Sequence, residues 1–307
     1  MVWIYATLPL ATLFGLCISS YNSCAVASME RLVLARELRD VGLKALAMLV
    51  AAFVLMAWQA SAATPPRLPA AQDTMTVAVA GGIILGLGAC LNGACFVGTV
   101  MRAAQGRIGF LLTIVGMYGA LLVYPEIYVL PTEGARPRAD WIALDWPWLA
   151  AALLPAMLVA LLFRRISGKP IRYASAAVLS GISGALLFGL DPQWTYLAAL
   201  DRVAHGAPPR QELIAAYLLI GSVIGAWSAN RIRLSGFNLR EAGLKIAGGF
   251  AMGFGALIIP GGNEAILFWG MPTLALHALA AYGAMMVTIA AILAWARPLR
   301  PQERLDG

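Results

Sequence analysis

An all-α integral membrane protein of about nine transmembrane helices, folded as two inverted repeats (4+1+4), is what this sequence predicts, and three observations predict it. The 307 residues are 61% hydrophobic and only 12% charged, which excludes an ordinary soluble globule. Apolar runs recur at regular intervals. Two of them carry the same interruption: Gly86 to Gly98 reads GLGACLNGACFVG, and Gly253 to Gly270 reads GFGALIIPGGNEAILFWG. Backbone groups freed by a helix break are costly in hydrocarbon unless protein or a water-lined cavity satisfies them, so matched breaks in two halves point to a transport site.

The runs span roughly residues 3 to 19, 42 to 60, 76 to 91, 108 to 124, 147 to 163, 173 to 190, 212 to 229, 243 to 259 and 272 to 296. A crossing needs about 20 apolar residues, and the shorter runs are completed by segments beyond a break. The first run lacks a basic n-region and a small-residue cleavage site, so it reads as a helix and not as a signal peptide. Four crossings, a lone helix and four more crossings make one transmembrane domain over 1–307, with repeat 1 at about 1–125, a linker helix at about 145–165 and repeat 2 at about 173–297. The odd helix sends the second repeat into the bilayer in the opposite sense, which brings the broken half-helices together at the midplane.

The connections are short. Thr64 to Asp73 and Pro131 to Trp148 are polar, proline-bearing loops, and Trp141, Trp146 and Trp148 suit an interfacial aromatic belt. Residues 25 to 40 place Met29, Leu32, Val33, Leu34 and Leu38 among arginines and acids, the pattern of a helix lying at the cytoplasmic interface beneath the bundle. The net charge of +7 does not form a nucleic-acid patch. Nine crossings put all basic residues except Arg67, Arg136, Arg138, Arg202 and Arg210 on one side of the bilayer. By the positive-inside rule that side is cytoplasmic, so the expected location is the bacterial inner membrane with the N-terminus outside and the C-terminus inside.

The breaks hold the candidate site residues. At Asn92, Gly93, Ala94 and Cys95, and at Pro260, Gly261, Gly262 and Asn263, small residues let the chain turn and a new helical turn starts just after. Helix N-termini expose free N–H groups and a partial positive charge, which favours an anionic solute without a buried lysine. Cys95 lies at the first break, and Cys24 follows the polar interruption SSYNSC, from where it reaches the same pathway lower down. A thiol is a weak, polarizable donor suited to a soft sulphur atom. Cys17 and Cys90 read as small apolar filler. The four cysteines form no CxxC pair and no Cys/His cluster of metal-ligand spacing, so no metal or other cofactor is expected.

Glu264, beside Asn263, is an ionisable residue at membrane depth and therefore a functional candidate. Three roles are open to it: carrying a proton, pairing with a basic side chain, or capping the half-helix. His277 reads as a packing histidine, Arg102 and Arg107 as cytoplasmic anchors, and Asp191 and Trp194 as residues of an outer vestibule or interface.

The stretches YNSCAVASMERLVLARELRDVGLKALAML, GGIILGLGACLNGACFVGTVMRAAQGRIGFLLTIVGMYGA and GFAMGFGALIIPGGNEAILFWGMPTLALHALAAYGAM resemble the YeeE/YedE family of sulphur-compound transporters over nearly the whole chain. The resemblance implies a nine-helix inverted repeat and cysteines that hand thiosulfate inward through S–H···S contacts. It places the family's first-loop cysteine on Cys24 and its first-break cysteine on Cys95. Asn263 stands where many thiosulfate-transporting members have a third cysteine. The expected protein is thus an inner-membrane permease, not an enzyme. It would import thiosulfate or a related sulphur-containing anion, with the bilayer as its environment, a cytoplasmic sulphur-acceptor protein as a potential partner, and no nucleic acid. The alternative is a membrane thiol-redox enzyme or sensor using Cys90 and Cys95, which only the break at Gly93 could bring together.

Overall fold

A computed structural model describes residues 2–21, 23–61, 75–127, 170–192, 194–204, 211–259 and 262–296, and these are helical with no strand among them. The long helices are α1 (Val2–Tyr21), α3 (Arg39–Ser61), α4 (Met75–Asn92), α6 (Leu112–Ile127, preceded by a 3-10 turn at Ile108–Leu111), α7 (Pro170–Leu190), α9 (Gln211–Ser228), α10 (Leu239–Ile258) and α12 (Leu276–Ala296). Four shorter helices sit between them: α2 (Ala25–Glu30, continued by a π-helical turn at Arg31–Ala35), α5 (Phe96–Ala104), α8 (Tyr196–Ala204) and α11 (Asn263–Ala265, continued by a π-helical turn at Ile266–Gly270).

Seven helical stretches are long and apolar enough to cross a bilayer, and Ile108–Tyr124 is a shorter apolar helix. The predicted crossing at 147–163 lies outside the described residues, as do the loops 64–73 and 131–148, the three belt tryptophans, and Pro260 and Gly261. Membrane exposure is legible on α4, where Val79, Ile83, Leu87 and Leu91 recur every fourth residue and are all exposed. That spacing makes one apolar ridge along a helix, a face that water would penalise and lipid accepts. The chain is accordingly a multi-pass membrane protein.

The helices pair across the two halves. In the first group α1 packs on α7 and α9, and α3 on α7; in the second α4 packs on α10 and α12, and α6 on α10. Lipid tails are as apolar as leucine, so such contacts depend on close approach and not on hydrophobic burial, and small residues permit it. A methyl built on Gly221 would stand 1.9 Å from the carbonyl oxygen of Thr12, and one on Gly116 would stand 2.0 Å from that of Ile246. These contacts join α9 to α1 and α6 to α10. The halves also meet in the loops, where Arg233 and Ser235 donate backbone N–H bonds to the carbonyls of Gln105 and Gly106 at 2.8 and 3.1 Å.

Three sequence expectations are corrected by the fold. The partial burial beneath the bundle expected of residues 25 to 40 goes deeper than the interface: Cys24, Ala25, Val26 and Ser28 are buried, so α2 enters the core and only its far end, toward Arg36, becomes exposed. Its apolar residues face protein, a possibility that an amphipathic pattern alone does not separate from an interface. Helix α8 is a second such element, in a stretch without an apolar run long enough to announce it. The last helix starts at Leu276 and not at Pro272, because α11 ends in a turn with Leu274 in the left-handed region (φ 55) and the N–H of Ala275 bonded to the carbonyl of Gly270 at 3.0 Å.

Gly221→Val should lower the thermal midpoint of the purified protein by overpacking α1 against α9, at a cost of about 1–3 kcal/mol. Gly283→Ala is the control, since a methyl there meets nothing within 4 Å and should leave the midpoint in place.

Candidate functional site

Each short helix begins inside the bundle, and the beginnings converge. Cys24 is the N-cap of α2 and Cys95 the N-cap of α5, both with extended backbone (φ −66, ψ 128 and φ −75, ψ −179). Gly262 caps α11 in the same conformation. Thr195 caps α8, its hydroxyl accepting the N–H of Ala198 at 3.0 Å. The first turn of α11 packs against α5, α8 packs against α6, and α2 packs against α12. Each helix start carries N–H groups with no carbonyl four residues back.

The thiols of Cys24 and Cys95 face one another at 3.9 Å, and Cys95 Sγ also accepts the N–H of Ala25, the first residue of α2, at 3.2 Å. Both residues are at most 1% exposed. Close approach is made possible by Gly98, where an added methyl would stand 2.3 Å from Cys24 Sγ. Cys24 is therefore level with Cys95, and not lower on the pathway as the sequence suggested. Cys17 and Cys90 form no disulfide among the described residues, and Cys90 is not in this contact.

Asn92 and Gly93 build the break. Gly93 takes a left-handed turn (φ 73). The fully buried Asn92 amide donates to the carbonyl of Ala94 at 2.9 Å and to Thr99 Oγ1 at 2.8 Å, while its Oδ1 accepts from Thr113 Oγ1 at 2.8 Å. All this capacity is used internally, so Asn92 holds the turn in place. The carbonyls freed where α1 and α4 end are met by cations from the other half of the chain. Lys245 Nζ bonds the carbonyl of Asn92, and Arg231 Nη1 bonds those of Ser19 and Ser20 at 3.0 and 3.4 Å. A cation there complements the negative end of a helix dipole.

Across α5 lies the second cluster. Asn263 and Glu264 are buried in the first turn of α11, and neither Asn263 Oδ1 nor either oxygen of Glu264 has a hydrogen-bond partner among the described residues. Of the three roles open to Glu264, a basic partner and a hydrogen-bonded cap are both missing from the described structure. The carboxyl folds back on Gly262, where an added methyl would stand 2.8 Å from Oε1. Gly261 lies outside the described residues. Tyr196 stacks on Phe96 of α5 with ring centroids 6.3 Å apart and sits within electrostatic reach of both Glu264 and Cys95. Trp194 packs on Tyr196 at 5.3 Å and on Phe188 at 5.4 Å, and is fully buried instead of lining an open vestibule. His277 is buried on α12.

Positive charges also stand beside Cys24. Lys44 Nζ donates to the carbonyl of Cys24 at 2.8 Å and to Ser28 Oγ, and Arg102 is in electrostatic reach of Cys24. Lys44, Trp194 and Tyr196 were not singled out from the sequence as pathway residues. A signal existed for the last two: DPQWTY follows α7 as SSYNSC follows α1, the same polar interruption after the first helix of each half. For Lys44 the signal was a lysine five residues inside an apolar helix. Among the described residues no group of three or more His, Cys, Asp or Glu side chains could hold a metal ion.

Comparison with known proteins agrees with this architecture. The family model for sulphur transport matches twice, over residues 22–163 and again over 146–291, whereas a search of curated proteins finds no match. With both breaks, both facing thiols and nearly the whole chain inside those two matches, this multi-pass membrane protein belongs to the sulphur transport (YeeE/YedE) family.

Proposed function

We propose that the protein is an inner-membrane permease that imports thiosulfate or a closely related sulphur-containing anion between Cys24 and Cys95. The observation that carries this reading is the pair of buried thiols 3.9 Å apart, each at the N-cap of a half-helix. A thiosulfate-like anion has two unlike ends. Its oxygens take hydrogen bonds from backbone N–H groups at helix starts, and its terminal sulphur takes weak S–H donors, so a site offering both suits a sulphur anion better than a fully oxygenated one.

The route runs from the Asn263 side to the thiols and on toward Lys44 and Arg102. Asn263 supplies an amide where a third thiol stands in other members, so selection falls on two sulphur contacts and one hydrogen-bonding side chain. The thiols touch and are shielded from solvent, so they must part to let the anion through. The positive side is cytoplasmic in the charge-based orientation, which sets the direction as import. A full set of nine helices in two inverted repeats is part of this proposal. It is supported by the reciprocal packing of α1 on α9 and α3 on α7, and of α4 on α12 and α6 on α10, and by a family model that matches once per half.

Growth on thiosulfate as sole sulphur source, in a host lacking other sulphur uptake, tests the reading. Cys24→Ala and Cys95→Ala should each abolish growth, with initial uptake reduced more than about tenfold, the equivalent of about 1.4 kcal/mol at the barrier. Asn263→Cys should retain uptake. Uptake untouched by both alanine changes would rule out the thiol route.

A thiol-redox role for Cys90 and Cys95 makes a different prediction. Mild oxidation followed by peptide mass mapping should yield a Cys24–Cys95 crosslink, since those sulphurs need close only from 3.9 Å to bonding distance. A Cys90–Cys95 bond as the main product would favour the redox reading.

A further inference from the structure

Resting on the anion-permease reading, we propose that Glu264 is a proton-binding site that couples proton entry to anion entry. The carboxyl is 1% exposed, folds back on Gly262 at the start of α11, and has no ion-pair partner and no hydrogen-bond partner on another residue among the described residues. An ionised carboxylate there would repel an incoming anion and compete for the same helix N–H groups. With a proton bound it does neither, and its O–H becomes one more donor. Moving an anion inward against a negative interior also costs free energy for every charge it carries, a cost that a co-transported cation offsets.

The charged and titratable groups on the surrounding elements are distributed to favour this. Helix α5 brings Cys95 and Arg102; α12 brings His277 and Tyr282; α3 brings Arg39, Asp40 and Lys44; α7 brings Arg172 and Tyr173; α1 brings Cys17 and Tyr21. Lys44 and Arg102 act on Cys24, past the thiols, and Asp40 pairs with Arg31 and Arg39. The proton passes from outside water to the Glu264 carboxylate, is held as the carboxylic acid while the anion moves to the thiols, and leaves to inside water, restoring the carboxylate. One positive charge thus travels with each anion.

Proteoliposomes holding the full-length protein and labelled thiosulfate test the coupling. Wild type should exchange thiosulfate at equal pH, and an inward proton gradient of one unit should raise steady-state accumulation about tenfold for one proton carried. Glu264→Gln should accumulate no more thiosulfate with the gradient than without it. Should Glu264→Gln lose exchange, an indicator-dye measurement decides: wild type in detergent takes up a proton on adding thiosulfate, and a folded Glu264→Gln protein does not. Exchange in wild type that ignores the gradient, or a Glu264→Gln protein that responds as wild type does, overturns the coupling and leaves the permease standing. Loss of exchange in wild type itself removes both.

Discussion

Backbone hydrogen bonding in a medium that supplies none is the constraint on which the rest depends. A helix interrupted in the middle of a bilayer leaves N–H groups on one side of the break and carbonyls on the other, each costing several kcal/mol if left alone in hydrocarbon. Here the carbonyls are met by Lys245 and Arg231, side chains that come from the opposite half of the chain. The breaks therefore tie the halves together as well as opening them. At Cys95 the first N–H of α2 finds a sulphur atom and not an oxygen. A soft acceptor is the weaker partner in such a bond, and a weaker bond is the easier one for an anion to replace.

Charge is arranged along the proposed path as a sequence of environments. An unpaired carboxyl and amide come first, then two thiols in contact, then two cations. Helix N-termini provide attraction spread over several N–H groups, which favours entry without a single deep trap. Aromatic packing supports this gate: Phe96, Tyr196, Trp194 and Phe188 form a continuous stack, and the ring of Phe268 on α11 meets that of Phe14 edge-on at 4.9 Å. The first series links the starts of α5 and α8 to α7, and the Phe268–Phe14 pair ties α11 to α1.

The membrane class, the order of the long helices and the two breaks were legible because they depend on composition and local turn chemistry. Apolar runs of about 20 residues have few alternatives, and glycine beside asparagine in such a run has fewer. The half-helices α2 and α8 were not legible as core elements. Both are short and amphipathic, and whether such a helix lies on a membrane or dips into a bundle is decided by partners distant in sequence: Cys95 and α12 for α2, Phe96 and α6 for α8. Asn92 shows the same limit from the other side. Its place at the break was plain, but its saturation by Ala94, Thr99 and Thr113 required the fold. The place of the Lys44 ammonium on the carbonyl of Cys24, twenty residues away in sequence, likewise required the fold.

The central claim is that a sulphur anion passes between Cys24 and Cys95. Selenosulfate, a thiosulfate analogue with a heavy terminal atom, tests it most directly through anomalous diffraction from crystals of the protein. The account predicts a selenium peak in contact with Cys24 Sγ and Cys95 Sγ, with the oxygens turned to the helix N-termini. A selenium peak remote from both thiols, in a protein that still transports the analogue, would contradict it.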